Sequence, residues 1–421
     1  MELSLPVAVQ PLKGGVVVPG DKSLAHRAAL FAALAEGESV VSNYPDSGVT
    51  RAMRGALEAL GVPSSLENGV LRVAGNGYRP FPNAGATAYC GNSATTFRLL
   101  AGVVAGTGSC ATLDGSAGLR KRPMDRIVDP LRLMGAEIVA TPGVAADGRN
   151  VSCAPLTFSA AKLHEVDYAL PVASAQVLSC LQLADLGVAG ESHFTVPGPV
   201  RDHTVRMLAA MGGKPPLCPL HAVLPGDISS AAFLFAAAAI VPGSRITVKG
   251  IGVNPTRTGI LDILAQMGAQ VSYANEHMEM GEPVADVTVA AAPLRGVSVA
   301  GDLVVRTIDE FPALAAVAAF ADGDTVVHEA LELRYKESDR IAAIVAQLKA
   351  LGADAEEYPD GFRVRGGTLT GGTARANGDH RLAMSMALCG LRVPVTVEGA
   401  EILNESFPSF VPTLQKLGAG I

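Results

Sequence analysis

Six segments of this chain are apolar on nearly every side when drawn as helices, and each follows a short run of polar residues. A helix of this kind has no face that suits water, so other elements must cover it all round. A tight turn and a strand-like stretch come after each segment, so the chain repeats one plan of polar start, apolar helix, turn and strand. The six apolar segments are 28–35, 99–104, 177–186, 231–240, 313–320 and 382–391.

A second element recurs beside the first. Amphipathic helices are predicted that each end in Leu-Gly or Met-Gly, and a glycine in this place ends a helix by taking a left-handed backbone conformation. A short strand is expected after most of them, as at 136–139 and 269–272. The irregular spacing argues against a short-repeat solenoid and favours six small α/β modules. The terminating glycines are Gly61, Gly135, Gly212, Gly268, Gly352 and Gly418.

The two recurring elements together predict an α/β fold of two lobes. Three modules can cover their apolar helices by turning the helices inward and the sheets outward, so six modules make two lobes, with the handover near Pro225-Gly226. The polar starts would then lie at the same end of their helices. Because helix N-termini attract anions through free N–H groups and the helix dipole, we expect an anion-binding cleft between the lobes.

Composition and charge argue against several other classes of protein. The net charge of −7 and the absence of Trp disfavour a nucleic-acid partner. The six Cys are scattered, with no CxxC pair and no His at metal-ligand spacing, which favours a reduced, cytoplasmic protein without a metal site. We expect neither a signal peptide nor a membrane partner, because the sequence has no basic-then-apolar leader and no apolar run long enough to span a bilayer.

The polar start at 19–27 is the strongest single indication of a binding site. Asp21 is a residue type that caps helices, and Lys22, Ser23 and Arg27 follow within a turn and a half. Ser23 and Arg27 are four apart and share a helix face, so two cations and a hydroxyl would meet at a helix N-terminus. This suits a phosphate or a carboxylate, although a capped helix with a solvated basic first turn would have the same sequence. A nucleotide P-loop is excluded, because a carboxylate intervenes before Lys22.

Two other charged runs could belong either to a site or to the surface. The run 120–122 holds three cations before Pro123, which is expected to start a helix, but a solvated loop fits the run as well. Residues 331–340 are densely charged in a chain that has only 17% charged residues. Lys336 and Arg340 are four apart and are expected on one helical face, with a salt-bridged surface helix as the alternative.

Acidic residues open two further apolar helices. Asp309 and Glu310 precede the segment 313–320, and a carboxylate there either caps the helix or serves as a base on the floor of the cleft. The run 379–381, Asp-His-Arg, opens the last apolar helix in a similar way. On its own, His380 is more typical of a surface or capping position.

Taken together, these polar starts resemble the motifs of the enolpyruvyl transferases, most of all the members that act on shikimate 3-phosphate. The resemblance covers nearly the whole chain in order and rests on residues 20–23, 26–27, 91–95, 98, 122–123, 336–340 and 379–381. It implies a two-lobed inside-out α/β barrel of six βαβαββ-type repeats, three per lobe. The N-terminal lobe would comprise 21–225, the C-terminal lobe 1–20 and 226–421, and the active site would lie in the cleft between them.

The resemblance also implies a reaction. The enolpyruvyl group of phosphoenolpyruvate would pass to the 5-hydroxyl of shikimate 3-phosphate, and phosphate would leave by addition–elimination, without a cofactor or a metal. Asp309 would take the hydroxyl proton, Glu337 would handle the proton at the methylene carbon, and Lys22 would be the third catalytic residue. Shikimate 3-phosphate would bind to Lys22, Ser23, Arg27, Ser174, Gln176, Arg201, Asp309 and Lys336. Phosphoenolpyruvate would bind to Lys22, Asn92, Ala94, Arg122, Gln176, Lys336, Arg340 and Arg381.

The chain departs from the pattern of this family at three positions. Ala94 stands where many members have Gly, and its methyl group should project into the phosphoenolpyruvate pocket, so we expect the herbicide glyphosate to bind weakly, as in the insensitive class of these enzymes. Glu405 stands where many members have a Lys that faces phosphoenolpyruvate, so another cation must serve or affinity falls. Val200 replaces a usual Ser or Thr and removes one expected phosphate contact.

Two alternatives remain at this stage. The related UDP-N-acetylglucosamine enolpyruvyl transferases usually carry a reactive Cys, or an Asp, five residues before the Arg-Pro pair, whereas this chain has Ala117. A non-catalytic anion-binding repeat protein would keep the cations but would have no use for both Asp309 and Glu337. We expect a monomer, because the repeat closes on itself.

Overall fold

A computed structural model of the chain describes residues 1–145, 148–367 and 369–420. Residue contacts divide the chain into two compact units. Unit N consists of Gly20–Leu224 and Glu279–Glu282, and unit C consists of Met1–Pro19, Pro225–Met278 and Pro283–Ile421. The changes of unit at 19/20 and 224/225 lie one residue before those that the resemblance implies.

Unit N alternates helices with groups of strands. Its helices in the described ranges are α1 (Lys22–Leu34), α2 (Gly48–Ala59), α3 (Ala94–Gly106), α4 (Asp125–Leu133), α5 (Ala175–Asp185) and α6 (His203–Ala210), with a 3-10 helix at Leu119–Lys121. Its strands there are β3 (Glu36–Ser42), β4 (Ser64–Glu67), β5 (Val70–Asn76), β6 (Ala86–Tyr89), β7 (Ala111–Asp114), β8 (Ile138–Val144), β9 (Asn150–Phe158), β10 (Asp167–Ala169), β11 (His193–Thr195) and β12 (His221–Val223).

The apolar helices α1, α3 and α5 all contribute buried residues to the core of unit N. Every residue of α1 from Leu24 to Leu34 is buried, as expected of a helix that has no polar face. Helices α3 and α5 pack closely: a Cβ atom placed on Gly102 would lie 2.1 Å from the carbonyl oxygen of Cys180. Only glycine therefore permits this approach of the two backbones.

Unit C follows the same plan. Its helices within the described residues are α7 (Ile228–Ile240), α8 (Gly259–Met267), α9 (Asp302–Thr307), α10 (Phe311–Ala318), α11 (Arg340–Ala350), α12 (His380–Cys389) and α13 (Phe410–Lys416), with 3-10 helices at Leu331–Tyr335 and Ala400–Glu405. Its strands there are β1 (Glu2–Leu3), β2 (Lys13–Val16), β13 (Arg245–Gly252), β14 (Gln270–Glu279), β15 (Glu282–Ala290), β16 (Ser298–Val299), β17 (Asp324–Val327), β18 (Asp354–Tyr358), β19 (Gly361–Arg365), β20 (Gly372–Arg375) and β21 (Val395–Glu398). Every residue of α7, α10 and α12 is buried.

Each unit contains three sheets within the described ranges. Unit N has β12-β3-β5-β4, β6-β7-β9-β8 and β10-β11, and unit C has β14-β15-β13-β2, β16-β17-β19-β18 and β1-β21-β20. The four-stranded sheets share one pattern, in which a parallel pair at one edge continues into antiparallel strands. Burial alternates along strands such as β7 and β17, so each covers the core with one face only. The predicted mixed α/β fold is confirmed, and the sheets are consistent with three repeats per unit.

The amphipathic helices end as the sequence predicts. All six terminating glycines have positive φ, between 89° at Gly352 and 112° at Gly268. Because a side chain is strained in this conformation, glycine is the residue that lets the chain leave the helix and turn back toward a strand.

One feature of unit N comes from a distant part of the chain. Strands β14 and β15 are joined by Met280 and Gly281, both with positive φ, as in a tight hairpin turn. In this turn region Glu282 accepts a hydrogen bond from His203 Nδ1 at 2.8 Å, and both side chains are buried. Glu279 accepts a hydrogen bond from the backbone N–H of Val223. These contacts explain why residues 279–282 belong to unit N, which the sequence did not predict.

No helix in the described part of the chain combines the length and the apolar character that a membrane crossing needs.

Candidate active site

Helix α1 begins as the sequence predicts. The side chain of Asp21 accepts a hydrogen bond from the backbone N–H of Leu24 at 2.9 Å, so Asp21 is the cap of the helix. Lys22 and Ser23 lie in the first turn and are partly exposed. The N–H groups at this helix N-terminus, beside an ammonium and a hydroxyl, form a place where an anion is stabilised.

Arg27 lies one turn further along α1 and is only 3% exposed. Its Nε donates to Thr204 at the start of α6, its Nη2 donates to Ser179 in α5, and its Nη1 donates to the backbone carbonyl of Ser23. Thr204 in turn donates to Ser179 at 2.7 Å. The guanidinium therefore joins three helices, and its predicted contact with shikimate 3-phosphate stays a prediction.

The start of α5 is linked to α3 through Gln176. Its Nε2 donates to Thr95 at 2.9 Å, and its Oε1 accepts a hydrogen bond from Arg98. Ser174 is the cap of α5 and accepts from the backbone N–H of Val177. The Gln176 amide therefore links the start of α5 to the start of α3, and both helix starts carry predicted substrate-binding residues.

The other predicted binding residues of unit N are placed around these helix starts. Ala94 is the first residue of α3, and Asn92 precedes the cap of that helix and accepts a hydrogen bond from Ser116. Arg122 follows the 3-10 helix at 119–121, and Arg201 precedes α6; both are partly exposed. The helix after the basic run begins at Asp125, so the expectation that Pro123 starts it is wrong by two residues.

In unit C the predicted base lies between two cations. Asp309 Oδ1 is 3.2 Å from Lys336 Nζ and 3.7 Å from Arg340 Nη1. The expectation that Lys336 and Arg340 share a helical face is wrong, because Lys336 is in extended backbone and α11 begins only at Arg340. The two side chains converge on one carboxylate because the chain bends between them.

Arg340 is more enclosed than the other two cations, Lys336 and Arg381. It is 1% exposed, and its Nε donates to the buried carboxylate of Asp379 at 2.8 Å, while its Nη2 donates to the half-exposed carboxylate of Glu337 at 2.7 Å. Burial alone would raise the pKa of Asp379, but Arg340 outweighs burial and holds the pKa at about 2. The carboxylate therefore stays ionised and fixes the guanidinium.

Arg381, at the start of α12, is held from the other side. Its Nη1 donates to the backbone carbonyl of Asp309 at 2.9 Å and lies 3.8 Å from the Glu310 carboxylate. Glu310 precedes α10 without capping it; its side chain is fully buried and accepts a hydrogen bond from Ser229. Ser229 also accepts from Arg257 at 3.0 Å.

Sequence reasoning missed three members of this buried network: Glu310 as an ionic partner, Ser229 and Arg257. Ser229 lies in the polar start of α7, which the repeat had already marked, so the recurrence of polar starts was a usable signal for it. Arg257 lies in a loop before α8 and has no such marker. The tertiary fold alone brings it to Ser229 and to Asp227, which is 3.8 Å away.

The structure also shows the positions of two residues, His380 and Glu405, whose surroundings the sequence did not determine. His380 is the first residue of α12 and is buried, so the surface position considered for it is wrong. Glu405 ends a 3-10 helix and is exposed. In residues 1–145, 148–367 and 369–420, no group of three or more His, Cys, Asp or Glu side chains is arranged to hold a metal ion.

The geometry supports two kinds of chemistry. Unit N offers helix N-termini with Lys22, Ser23 and polar side chains, an arrangement that binds phosphate and carboxylate groups. Unit C offers Asp309 beside Lys336 and Arg340, which combines a carboxylate able to take a proton with cations able to stabilise a phosphate leaving group.

Comparison with known proteins gives one consistent result. The family description EPSP synthase (3-phosphoshikimate 1-carboxyvinyltransferase) matches residues 7–414. The 3-phosphoshikimate 1-carboxyvinyltransferase of Desulforudis audaxviator is 43% identical over 96% of this chain and 97% of its own length. The solved EPSP synthase from Acinetobacter baumannii is 38% identical and superposes with a TM-score of 0.89, covering 99% of this chain and 98% of that one. The enolpyruvyl transferase NikO from Streptomyces tendae, at 21% identity and a TM-score of 0.73 over 99% of this chain and 97% of that one, shares the fold.

Proposed function

Because the chain belongs to the EPSP synthase (3-phosphoshikimate 1-carboxyvinyltransferase) family, we infer that it transfers the enolpyruvyl group of phosphoenolpyruvate to the 5-hydroxyl of shikimate 3-phosphate, and we propose that the residues placed above carry out this reaction. The two substrates together bring two phosphates and two carboxylates, so the reaction needs many cations and helix N-termini. Both units supply such groups, and we propose that both act on the same pair of substrates.

Shikimate 3-phosphate is proposed to bind mainly through unit N. Lys22 and Ser23 offer an ammonium and a hydroxyl in the first turn of α1, and Ser174 and Gln176 open α5. Arg27 donates to Thr204, Ser179 and the carbonyl of Ser23, so a role for it in orienting the helix starts is supported alongside direct contact.

Phosphoenolpyruvate is proposed to bind to the cations of unit C. Lys336, Arg340 and Arg381 each lie within 4.0 Å of a carboxylate, which orients them before the substrate arrives. Arg381 is the best placed of them for a bidentate contact, because among the described residues its side chain makes a single hydrogen bond, through Nη1.

The proton transfers are proposed for two carboxylates. The side chain of Asp309 is 18% exposed and is oriented by Lys336 and Arg340, so it can take the proton of the attacking 5-hydroxyl. Glu337 is half-exposed and bonded to Arg340, so it can exchange a proton with solvent and deliver or remove it at the methylene carbon. The convergence of two cations on Asp309 is the observation that carries this assignment.

Phosphate release from purified protein tests the reaction. We expect release that requires both phosphoenolpyruvate and shikimate 3-phosphate, and none with UDP-N-acetylglucosamine as the acceptor. Asp309→Ala and Glu337→Ala should each lower turnover by at least about 100-fold while calorimetry still detects shikimate 3-phosphate binding. Asp324→Asn, which alters an Arg-paired carboxylate of unit C outside this cluster, is the matched control and should retain turnover. Normal turnover in Asp309→Ala would refute its role.

We also propose that glyphosate inhibits this enzyme weakly. Ala94 is the first residue of α3, a helix start proposed to bind phosphoenolpyruvate, and we propose that its methyl group leaves less room there for glyphosate than a glycine would. Ala94→Gly should lower the inhibitory concentration of glyphosate at least about tenfold, with a smaller change in the KM for phosphoenolpyruvate. Equal inhibition of the two proteins would show that this methyl group does not set the sensitivity.

We further propose that the enzyme is cytoplasmic and monomeric. All six thiols are free, which is compatible with the reducing cytoplasm. Each unit has its own buried core, which fits a monomer. Light scattering on the eluting protein tests the second property, and a stable dimer at micromolar concentration would contradict it.

A further inference from the structure

Helix α1 contains a buried histidine to which the proposed reaction gives no role. His26 is 3% exposed and lies one turn after Lys22. Its Nδ1 is 2.6 Å from the backbone carbonyl oxygen of Lys22, and its Nε2 is 3.3 Å from the hydroxyl of Ser93, the cap of α3. One ring therefore touches the starts of two helices.

The hydrogen bonds around Ser93 determine the proton positions on this ring. The Ser93 hydroxyl oxygen accepts from the backbone N–H of Thr96 at 3.1 Å and from the Thr96 hydroxyl at 2.9 Å. With two donors already directed at the oxygen, the single proton of Ser93 remains for His26 Nε2. Nε2 must then be unprotonated, and Nδ1 carries the proton that it donates to the Lys22 carbonyl.

The surroundings favour a neutral ring. Burial is the main reason that the pKa of His26 falls to about 4, and Lys22 and Arg27 lower it further. Near neutral pH the ring is therefore uncharged, which leaves Nε2 able to accept from Ser93.

We propose that His26 is a positioning residue that sets the distance and orientation between the starts of α1 and α3, through a directed chain of hydrogen bonds from Thr96 through Ser93 and His26 to Lys22. This inference rests on the proposed function. The start of α1 carries Lys22 and Ser23, proposed for shikimate 3-phosphate, and the start of α3 carries Asn92 and Ala94, proposed for phosphoenolpyruvate.

Three substitutions separate the two ends of the ring. His26→Gln can place an amide oxygen near Ser93 and keep the bond between helices. His26→Asn can place an amide N–H near the Lys22 carbonyl but is too short to reach Ser93. His26→Phe fills a similar volume and keeps neither bond. Tyr78→Phe is the matched control, because it removes one partly buried hydrogen bond of the same unit, from Tyr78 to the Leu183 carbonyl near the far end of α5.

We expect His26→Phe and His26→Asn to lower kcat/KM for phosphoenolpyruvate roughly 10- to 100-fold, and His26→Gln to recover most of that loss. Tyr78→Phe should lower the melting temperature without changing kcat/KM more than about twofold. If His26→Phe loses stability but keeps kcat/KM as Tyr78→Phe does, the ring is merely structural and the proposal fails. It also fails if His26→Asn keeps as much kcat/KM for phosphoenolpyruvate as His26→Gln does.

Nitrogen NMR of histidine-labelled wild-type protein near pH 7 gives an independent readout. We expect a neutral ring with the proton on Nδ1, which is the less common tautomer in water. A proton on Nε2, or on both nitrogens, would overturn the hydrogen-bond chain. This spectrum does not depend on turnover, so a wild-type protein without phosphate release would refute the proposed function while leaving the tautomer result to stand on its own.

Discussion

At the scale of single residues, the folded chain stabilises the ionised form of Asp379. Its carboxylate is fully buried, and Arg340 keeps its pKa near 2, against an ordinary value of 3.8. A group whose pKa is lowered by folding stabilises the native state above its ordinary pKa and loses that contribution as the pH falls through the lowered value. Asp379 should therefore contribute about 2–3 kcal/mol near neutral pH, which disappears between about pH 5 and pH 2.

Denaturant unfolding at a series of pH values tests this prediction. Asp379→Asn should be less stable than wild type at pH 7, by roughly 3–5 kcal/mol, because Arg340 loses a buried partner. The difference should narrow as the pH falls toward 3. Asp302→Asn, at an exposed position of unit C, is the control and should run parallel to wild type. A difference that stays constant with pH would contradict the lowered pKa.

Residue types could be predicted from the sequence in this region, but their partners could not. Lys336 and Arg340 were expected to meet on a helix, and they meet on Asp309 through a bend in the chain. Glu310 was expected to cap α10 or to act as a base, whereas its carboxylate faces Ser229 and Arg381. A local sequence pattern predicts which helix or loop carries a side chain. The partner of that side chain in a buried ion pair comes from another segment and depends on tertiary packing, which a local pattern does not describe.

At the scale of elements, the contact between α3 and α5 depends on a missing side chain. Gly102 lies in the middle of α3, where alanine would favour the helix by about 1 kcal/mol. A Cβ atom there would lie 2.1 Å from the carbonyl oxygen of Cys180 and 3.0 Å from its Cα, both backbone atoms that cannot rotate away. We expect Gly102→Ala to destabilise the protein by about 2–3 kcal/mol, because α3 and α5 must separate.

Gly55→Ala supplies the matched control for that substitution. Gly55 lies in the interior of α2, and a Cβ atom there would have no neighbour within 4 Å. This substitution should stabilise the protein by up to about 1 kcal/mol. Urea unfolding of both variants gives the comparison, and a stabilised Gly102→Ala would show that the two helices can move apart freely.

The elements themselves were largely predictable. All six apolar helices form, and all six terminating glycines have positive φ, because apolar character on every side and a left-handed glycine each have one dominant structural outcome. The membership of residues 279–282 in unit N could not be predicted. It arises from contacts such as His203–Glu282, which join positions 79 residues apart.

At the scale of the whole molecule, the six cysteines divide by exposure. Cys110 and Cys218 are exposed, whereas Cys90, Cys153, Cys180 and Cys389 are buried. Burial also raises the pKa of each of the four buried thiols, so little reactive thiolate is present even when reagent reaches them. A thiol reagent should therefore modify two groups quickly in the native protein and all six in denaturant.

The slow phase of this reaction reports opening of the two cores. Three of the buried thiols lie in unit N and Cys389 lies in unit C, so mass spectrometry of the labelled peptides follows the units separately. Fast labelling of Cys180 or Cys389, which are both 0% exposed, would contradict the closed packing of the apolar helices.

The pairing of β1 with β21 sets the order in which this chain can be completed during synthesis. Glu2 pairs with Glu398, so the first strand to leave the ribosome waits for nearly the last. At ordinary elongation speeds of about 5–20 residues per second, that wait is on the order of 20–80 seconds. Residues 20–224 emerge early and contain every member of the core of unit N except Met280. Unit N can therefore begin to fold on the ribosome. Strand β2 can pair with β13 once residues 245–248 have emerged, whereas β1 has no strand partner until translation is almost finished.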